Sequence, residues 1–256
     1  MGKLSKTVIA VILLSATISA VDAQNGYKWM VGINGGALIY QGDLTPSSIG
    51  SYKTATPVFG FSVARIMSPY FAIRGNAALG KLNGDDAAYD NPAWRKSRAL
   101  NFSTPVAELS AQLLWNPFGN NSNELGMRFT PYLFAGAGVN FVNVNRDYSR
   151  LDTTVFSFNS KTQAGLQQDA VASLPRSLFV LPVGAGLSYY LGSRWSLNYE
   201  FNFRYTFTDY LDGFSYVANP GQKDYYHSHT LGLVYRFGGS GGGSGSDKLG
   251  CPVMKY

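Results

Sequence analysis

The chain has 256 residues, of which 29 are Gly, 17 Tyr and 16 Phe, whereas only 14% are charged. This length supports one domain rather than two, and the low content of strong helix formers argues against a helical bundle. The net charge of +6 is not gathered into runs of Lys and Arg, so a nucleic-acid-binding patch is not indicated.

The N-terminal segment has the pattern of a secretory signal peptide. Lys3 and Lys6 precede an apolar run at residues 8–21, and small residues follow before Gln24. The run is shorter than the roughly 20 residues that a membrane-spanning helix needs, although an N-terminal anchor helix is the alternative. We therefore expect residues 1–23 to be removed and residues 24–237 to form the folded domain.

Eight segments of alternating apolar and polar residues, bounded by turn residues, follow in the mature chain. They cover residues 27–42, 57–66, 70–82, 100–115, 129–144, 177–190, 195–207 and 226–237. The fifth has the least clear pattern, because Tyr132 and Phe134 fall on the face opposite Leu133 and Val139. Eight is the smallest usual number of strands in a closed membrane barrel.

Residues 195–207 decide between a soluble and a membrane β protein. Their alternation is unbroken, so one face of an extended strand carries only apolar side chains. That face contains Trp195, Leu197, Tyr199, Phe201, Phe203, Tyr205 and Phe207. Soluble strands usually have about five or six residues, whereas a tilted strand that crosses a membrane needs roughly nine to eleven. The fold class predicted is therefore all-β, an eight-stranded antiparallel transmembrane β-barrel with its aromatic face toward lipid.

The connections between the predicted strands alternate in length. Those at 67–69, 116–128 and 191–194 are shorter, and those at 41–56, 83–99, 145–176 and 208–224 are longer and more polar. Outer-membrane barrels have short periplasmic turns and long outward loops. We therefore expect an outer-membrane location with both chain termini in the periplasm.

Charged residues fall on the polar faces of the strands, which would line the barrel lumen. They are Arg74, Glu108, Glu200, Arg204 and Arg236. The interior of an eight-stranded barrel is just wide enough for side chains to fill, and buried charges must pair to offset their desolvation. We expect a mixed Glu/Arg network rather than an ion or solute path, so the protein should not be a porin.

Residues for catalysis or metal binding are sparse. His227 and His229 are too few for a tetrahedral metal site and fit a position at the barrel rim. The acidic stretches at 83–86 and 208–213 offer oxygen ligands for calcium, but Asp, Asn and Gly are also ordinary turn residues. Ser228 lies between the histidines and points to the other face of the strand, so no base reaches it. No catalytic, cofactor-binding or metal-binding residue is assigned, and we expect no enzyme activity.

The last strand and the tail carry two further signals. Gly232, Tyr235 and Phe237 resemble the terminal-strand signal that the barrel-assembly machinery recognises, although period-two aromatics are also ordinary in strands. Residues 238–246 are all Gly and Ser, a flexible tether of natural or engineered origin with a reach of roughly 15–20 Å. Residues 247–256 form a predicted periplasmic tail with the single cysteine of the chain, Cys251.

This tail is the predicted site of contact with a partner. A lone cysteine in an oxidising compartment suggests an intermolecular disulfide or a free thiol. Capture of a periplasmic partner would use Cys251, Pro252, Val253 and Met254.

Six short motifs occur in order along the predicted barrel. They are YQGDL at 40–44, RALNFS at 98–103, TPYLFAG at 130–136, RYTFTDYLDG at 204–213, NP at 219–220 and DYY at 224–226. As an ordered set, covering nearly the whole mature barrel, they resemble the PorG-like outer-membrane barrels of Bacteroidetes. At matching positions, the motifs at 40–44 and 208–212 would lie at outward strand ends and shape the loops.

The resemblance implies a non-enzymatic component of the type IX secretion system. Family members are associated with the periplasmic ring built from the PorK lipoprotein and PorN, and tie that ring to the outer membrane. The alternative from another class is a small surface-binding or adhesin-type barrel that uses its long outward loops. A lipid-modifying barrel enzyme is a third hypothesis.

Overall fold

The computed structural model describes residues 27–47, 49–157, 160–219 and 221–238. Nine strands occur in this part of the chain. They are β1 (Trp29–Gln41), β2 (Thr56–Ile66), β3 (Phe71–Asp85), β4 (Asn101–Trp115), β5 (Phe129–Val142), β6 (Asn145–Asp147), β7 (Ser177–Tyr190), β8 (Trp195–Thr206) and β9 (Tyr225–Phe237). Two α-helices, α1 (Trp94–Arg98) and α2 (Lys161–Val171), and two short 3-10 helices, Tyr52–Thr54 and Asp86–Ala88, lie in the described parts of the connections.

Eight of these strands close into one antiparallel barrel. The sheet order is β3-β2-β1-β9-β8-β7-β5-β4, and an additional pairing of β3 with β4 joins the two ends. The short strand β6 pairs only with the beginning of β4. The predicted eight-stranded antiparallel barrel is thus confirmed, with barrel strands of 11 to 15 residues, long enough to cross a membrane.

The alternation in β8 sets the two faces of the wall as predicted. On the outward face Trp195 and Leu197 are each 46% exposed, whereas on the inward face Ser196 and Thr206 are 0% exposed. Large apolar side chains are also exposed on the outward faces of the other strands, as at Ile33, Leu79 and others. A continuous apolar exterior of this kind needs hydrocarbon rather than water as its solvent.

The ambiguous strand β5 is resolved by burial. Tyr132 and Phe134 are buried in the lumen, and Leu133, Val139 and Phe141 face outward. The two aromatic rings join Met30 and the small residues of neighbouring strands in an apolar cluster. The inward face therefore contains large rings where the lumen has space for them, which a simple apolar-out rule does not anticipate.

The two ends of the barrel differ in their connections. The short-turn end carries residues 67–70, 116–128 and 191–194, together with the two ends of the barrel chain, where the Lys28 amide donates to the Phe237 carbonyl over 3.1 Å. The long-loop end carries the described residues of the connections 42–55, 86–100, 143–176 and 207–224. A large apolar cluster that includes Leu44, Phe102 and Phe214 lies at this end.

The loops contain structure that the sequence pattern did not indicate. β3 continues to Asp85, beyond the predicted end at residue 82, because residues 83–85 still pair with 101–103 of β4. β5 ends at Val142, two residues before the predicted end, and β6, α1 and α2 lie in segments for which the sequence predicts loops. These segments lie beyond the apolar belt, so their side chains do not alternate between lipid and lumen. No helix of the described residues has the length and hydropathy of a membrane span.

Candidate functional site

The middle of the lumen is crossed by an ion pair between opposite walls. Arg74 on β3 reaches Glu200 on β8, with 2.5 Å between Nη1 and Oε1. The same guanidinium donates to Gln112 Oε1 over 2.6 Å, and the Tyr132 hydroxyl donates to Glu200 Oε1 over 2.6 Å. All four side chains are buried. Each desolvated charge therefore has both an opposite charge and hydrogen bonds to offset the loss of water.

A second ion pair lies nearer the long-loop end. Arg204 Nε donates to Glu108 Oε2 over 3.0 Å, and both side chains are nearly inaccessible. Arg204 also donates to the Ser228 hydroxyl. Next to this pair, Asn140 donates to the Tyr226 hydroxyl over 2.6 Å. The middle of the lumen is therefore filled by two electroneutral pairs and their hydrogen-bond partners.

Arg236 differs from the other two lumen arginines. Its Nε donates to the Asn121 carbonyl and its Nη1 to the Ser196 hydroxyl, each over 3.1 Å. Its guanidinium carbon lies 4.4 Å from the centre of the Tyr190 ring. Among the described residues no carboxylate forms an ion pair with it. The five predicted lumen charges thus form two separate pairs and one arginine without an acidic partner.

The connection at 116–128 closes the short-turn end of the lumen. Asn116, Asn120 and Asn121 are all buried. Asn120 donates to Thr130 Oγ1 over 3.1 Å and accepts at its carbonyl from the Tyr190 hydroxyl over 2.8 Å. The sequence predicts only a short turn for this segment, although its asparagines, which can satisfy buried backbone groups, are a usable signal.

A cluster of acidic residues and a tyrosine closes the long-loop end. The Tyr40 hydroxyl lies 2.7 Å from Asp212 Oδ2 and 2.6 Å from Asp224 Oδ1. A phenol has one proton, so it donates to one carboxylate and accepts from the other, which must itself carry a proton. Consistent with this, burial raises the pKa of both carboxyl groups well above their usual range.

Further acidic groups surround this cluster. Asp224 Oδ2 accepts from the Leu211 amide over 3.0 Å, which fixes the start of the last long loop. Asp43 and Asp209 lie close by, and burial raises the pKa of each to about 6. The motifs at 40–44, 208–213 and 224–226 therefore meet at one point, where they close the mouth of the barrel.

Two more carboxylates brace the long loops. Asp169 on α2 accepts from the amides of Ser215 and Val217, over 3.2 and 2.9 Å. Asp86 binds Arg95 and Arg98 of α1 through its two oxygens, over 2.7 and 2.5 Å. The Asp86 carboxylate, considered for calcium in the sequence, is thus occupied by guanidinium groups. In the described part of the chain, no group of three or more His, Cys, Asp or Glu has an arrangement suited to a metal ion.

Comparison with known families places the whole barrel in one family. The profile of the family described as Domain of unknown function (DUF6089) matches residues 5–240. The chain belongs to the DUF6089 family. A comparison with curated protein sequences gave no match.

Among solved structures, this DUF6089 barrel is similar to small outer-membrane barrels. Neisserial surface protein A is 13% identical, with a TM-score of 0.46, over 82% of this chain and 97% of that chain. Ail, the attachment invasion locus protein of Yersinia pestis, is 13% identical with a TM-score of 0.44, over 83% and 99%. OprG from Pseudomonas aeruginosa is 13% identical with a TM-score of 0.42, over 83% and 98%. Function does not transfer at this level of similarity, and the fold rests on the strand pairing itself.

The two histidines of this DUF6089 barrel lie on the outward face of β9, at the end near the long loops. His229 Nδ1 is 2.7 Å from the Tyr199 hydroxyl, and its Nε2 is 2.9 Å from the hydroxyl of Tyr52, in the first long loop. Ser228 points into the lumen, where it accepts from Arg204. The serine and the histidines are therefore on opposite sides of the barrel wall and cannot act together on one substrate.

The remaining predicted site residues lie within β9 or follow it in the sequence. Tyr235 and Phe237 are on its outward face, and their rings stack with centroids 6.1 Å apart. Gly232 faces Asn34 on the inward side. Residues 1–26 and 239–256, with the predicted signal peptide, most of the Gly/Ser tether and the residues Cys251, Pro252, Val253 and Met254, lie outside the described residues.

Proposed function

We propose that this barrel is a non-enzymatic outer-membrane component of a type IX secretion system, which anchors or assembles a periplasmic ring of a PorK-like lipoprotein and its PorN-like companion. The main support is the closed lumen. Ion pairs fill its middle, the asparagine-rich turn closes one end and the Tyr40 cluster closes the other. A barrel closed in this way acts through its surfaces rather than as a conduit.

The position of the chain ends supports a periplasmic partner. Both ends of the barrel chain lie at the short-turn end, and outer-membrane barrels keep their short turns in the periplasm. The tether and the tail with Cys251 continue from that end. In this proposal the tail contacts the ring, and an intermolecular disulfide through Cys251 strengthens the contact in the oxidising periplasm.

The first test removes the tail from the protein in its host bacterium. Deletion of residues 247–256 should reduce secretion of type IX substrates while the barrel remains folded and heat-modifiable in the outer membrane. A variant in which residues 247–256 are replaced by ten Gly and Ser residues controls for tail length. Normal secretion with both variants would contradict a role for the tail.

The second test examines the disulfide separately. Non-reducing gels of solubilised outer membrane should show a heavier species that contains both the barrel and the ring lipoprotein, and Cys251→Ser should abolish it. Pull-down of the ring with the wild-type barrel, with and without reductant, then measures what the disulfide adds. Absence of the ring proteins under both conditions would overturn the proposed partner.

One observation favours the alternative of a surface-binding barrel. The long loops are braced by Asp86 and Asp169, and their exposed side presents apolar groups: Val171 is 85%, Ile49 70% and Tyr216 52% exposed. Val171→Asp and Tyr216→Asp would impair binding of cells to an external ligand in this alternative. The same variants should leave secretion unchanged if the ring is the partner.

A further inference from the structure

Of the three arginines that line the described part of the lumen, Arg236 is the one that has no carboxylate beside it. Arg74 and Arg204 each pair with a glutamate across the barrel, so those two layers are neutral. Arg236 is only 2% exposed and has a carbonyl, a hydroxyl and an aromatic ring as neighbours. A buried cation with only neutral partners is costly, because its loss of hydration is not offset by an opposite charge.

The guanidinium also has hydrogen-bonding capacity to spare. Arginine has five N–H donors. Among the described residues Arg236 has three hydrogen-bond acceptors, the Asn121 carbonyl, the Ser196 hydroxyl and the Tyr190 hydroxyl. With one hydrogen bond to each of these acceptors, two of the five N–H groups remain for a further acceptor.

A cavity lies beside this guanidinium. It has a volume of about 30 Å³, and its polar lining includes Arg236, Ser62, Asn116, Ser188 and Asn198. Both this volume and the following one count only the space that the centre of a water-sized sphere can reach. A cavity that holds one water molecule needs on the order of 10–15 Å³ of such space. The cavity thus has room for one ion little larger than water and is too small for a phosphate group or a lipid headgroup.

We propose that this cavity binds a halide ion, with Arg236 as its counter-charge. The amide and hydroxyl groups of the lining can donate hydrogen bonds to the ion, which offsets its own loss of hydration. A second lumen cavity, of about 20 Å³, has Glu200 in its wall. Arg74 lies in the same wall and is paired with Glu200, so this cavity offers an anion no unpaired cation, and the halide belongs in the Arg236 cavity.

The first experiment measures thermal stability of the full mature chain, folded in detergent, at constant ionic strength. Sodium chloride or bromide is compared with sodium gluconate, whose anion is too large for the cavity. At a halide concentration about tenfold above Kd, the Tm should be higher by roughly 3–6 °C than in gluconate. Equal Tm values in the three salts, across the soluble concentration range, would overturn the proposal.

Two arginine variants separate this site from a general salt effect. Arg236→Met should lose the difference between chloride and gluconate. Arg194→Met is the matched control, because Arg194 lies at the same end of the barrel but is exposed and bonded to Tyr235. It should keep the full difference. A halide effect that survives Arg236→Met, or that disappears in Arg194→Met, would overturn the assignment.

The second experiment does not depend on a variant that folds. Crystals of the wild-type barrel grown in bromide should give an anomalous peak beside the Arg236 guanidinium. A peak at this place in bromide, replaced by an ordinary water position in gluconate, supports the site. Bromide at exposed arginines with none in the cavity would mean an adventitious ion only and would overturn the proposal.

Discussion

The middle of the lumen and its long-loop mouth bury charged groups in two different ways. In the middle, each glutamate faces an arginine, and the pair is neutral as it stands. At the mouth, Asp212 and Asp224 share one tyrosine hydroxyl and have no arginine within ion-pair distance among the described residues. The mouth therefore lowers its negative charge only by keeping protons on its carboxyl groups.

This difference predicts different responses to mutation and pH. An ion pair loses most when one partner is removed, because the other remains buried and charged. A proton-dependent cluster responds to pH as well, since its carboxyl groups have a raised pKa in the folded protein only. Single substitutions in the middle of the lumen should therefore reduce the stability of the barrel strongly. The stability of the mouth should decrease at alkaline pH.

The largest effect is expected from Glu200→Leu. The substitution leaves Arg74 buried without its carboxylate, which should reduce the free energy of unfolding by about 3–5 kcal/mol. Urea unfolding of the barrel in lipid vesicles measures the loss. Glu124→Gln, in the short-turn connection, is the control and should stay within about 0.5 kcal/mol of the wild type. The double variant Arg74→Met with Glu200→Leu should recover most of the loss, and failure to do so would contradict the pairing.

A smaller loss is expected at the mouth from Tyr40→Phe. The substitution removes the hydroxyl between two buried carboxyl groups, and should reduce stability by about 1–3 kcal/mol. Tyr148→Phe, at an exposed loop residue, is the matched control. Protease cleavage between residues 207 and 224 should be faster in Tyr40→Phe only. Equal cleavage in both variants would show that the hydroxyl does not hold the mouth closed.

The pH dependence of the mouth follows from Asp43 and Asp209, whose pKa values are raised by burial to about 6. Because the folded pKa is above the usual value of about 4, their contribution to stability is complete below about pH 4 and is lost as the pH rises through 6. Cleavage of the long loops should therefore be a few-fold faster at pH 8 than at pH 5, after correction for protease activity. Asp43→Asn should reduce this dependence, and no change with pH in the wild type would contradict the assignment.

The barrel wall could be predicted from the sequence because it depends on local alternation. The period of two in β8 decided both the face that meets lipid and the fold class. The lumen position of Arg74, Glu200 and Arg204 follows from the same rule. The residues with which they pair cannot be predicted in this way. Contacts across a barrel depend on strand tilt and stagger, and local sequence alternation does not determine these.

The two closures of the lumen were harder to predict for the same reason. Tyr40 is far in sequence from Asp212 and Asp224, and the two aspartates are equally typical of solvent-exposed loops. Burial raises the pKa of the two aspartates. Whether a loop is buried depends on the tertiary fold, which the local sequence does not show. The asparagines at 116–121, which are buried in the structure, are a weaker signal, because asparagine is also an ordinary residue of exposed turns.

The smallest effect is expected on the outward face, where His229 connects Tyr52 of the first long loop to Tyr199 of β8. These hydrogen bonds are exposed, so each contributes only the net value of about 0.5–1.5 kcal/mol. Tyr52→Phe should reduce stability by that amount or less and increase cleavage between residues 42 and 55, whereas the exposed Tyr70→Phe at the opposite end should change neither. A loss as large as that of Glu200→Leu would mean that the loop contact, rather than the lumen, dominates the stability of the barrel. Loss of this exposed hydrogen bond should reduce stability less than Tyr40→Phe and much less than Glu200→Leu. The reason is that an unsatisfied polar group costs more free energy the further it lies from water.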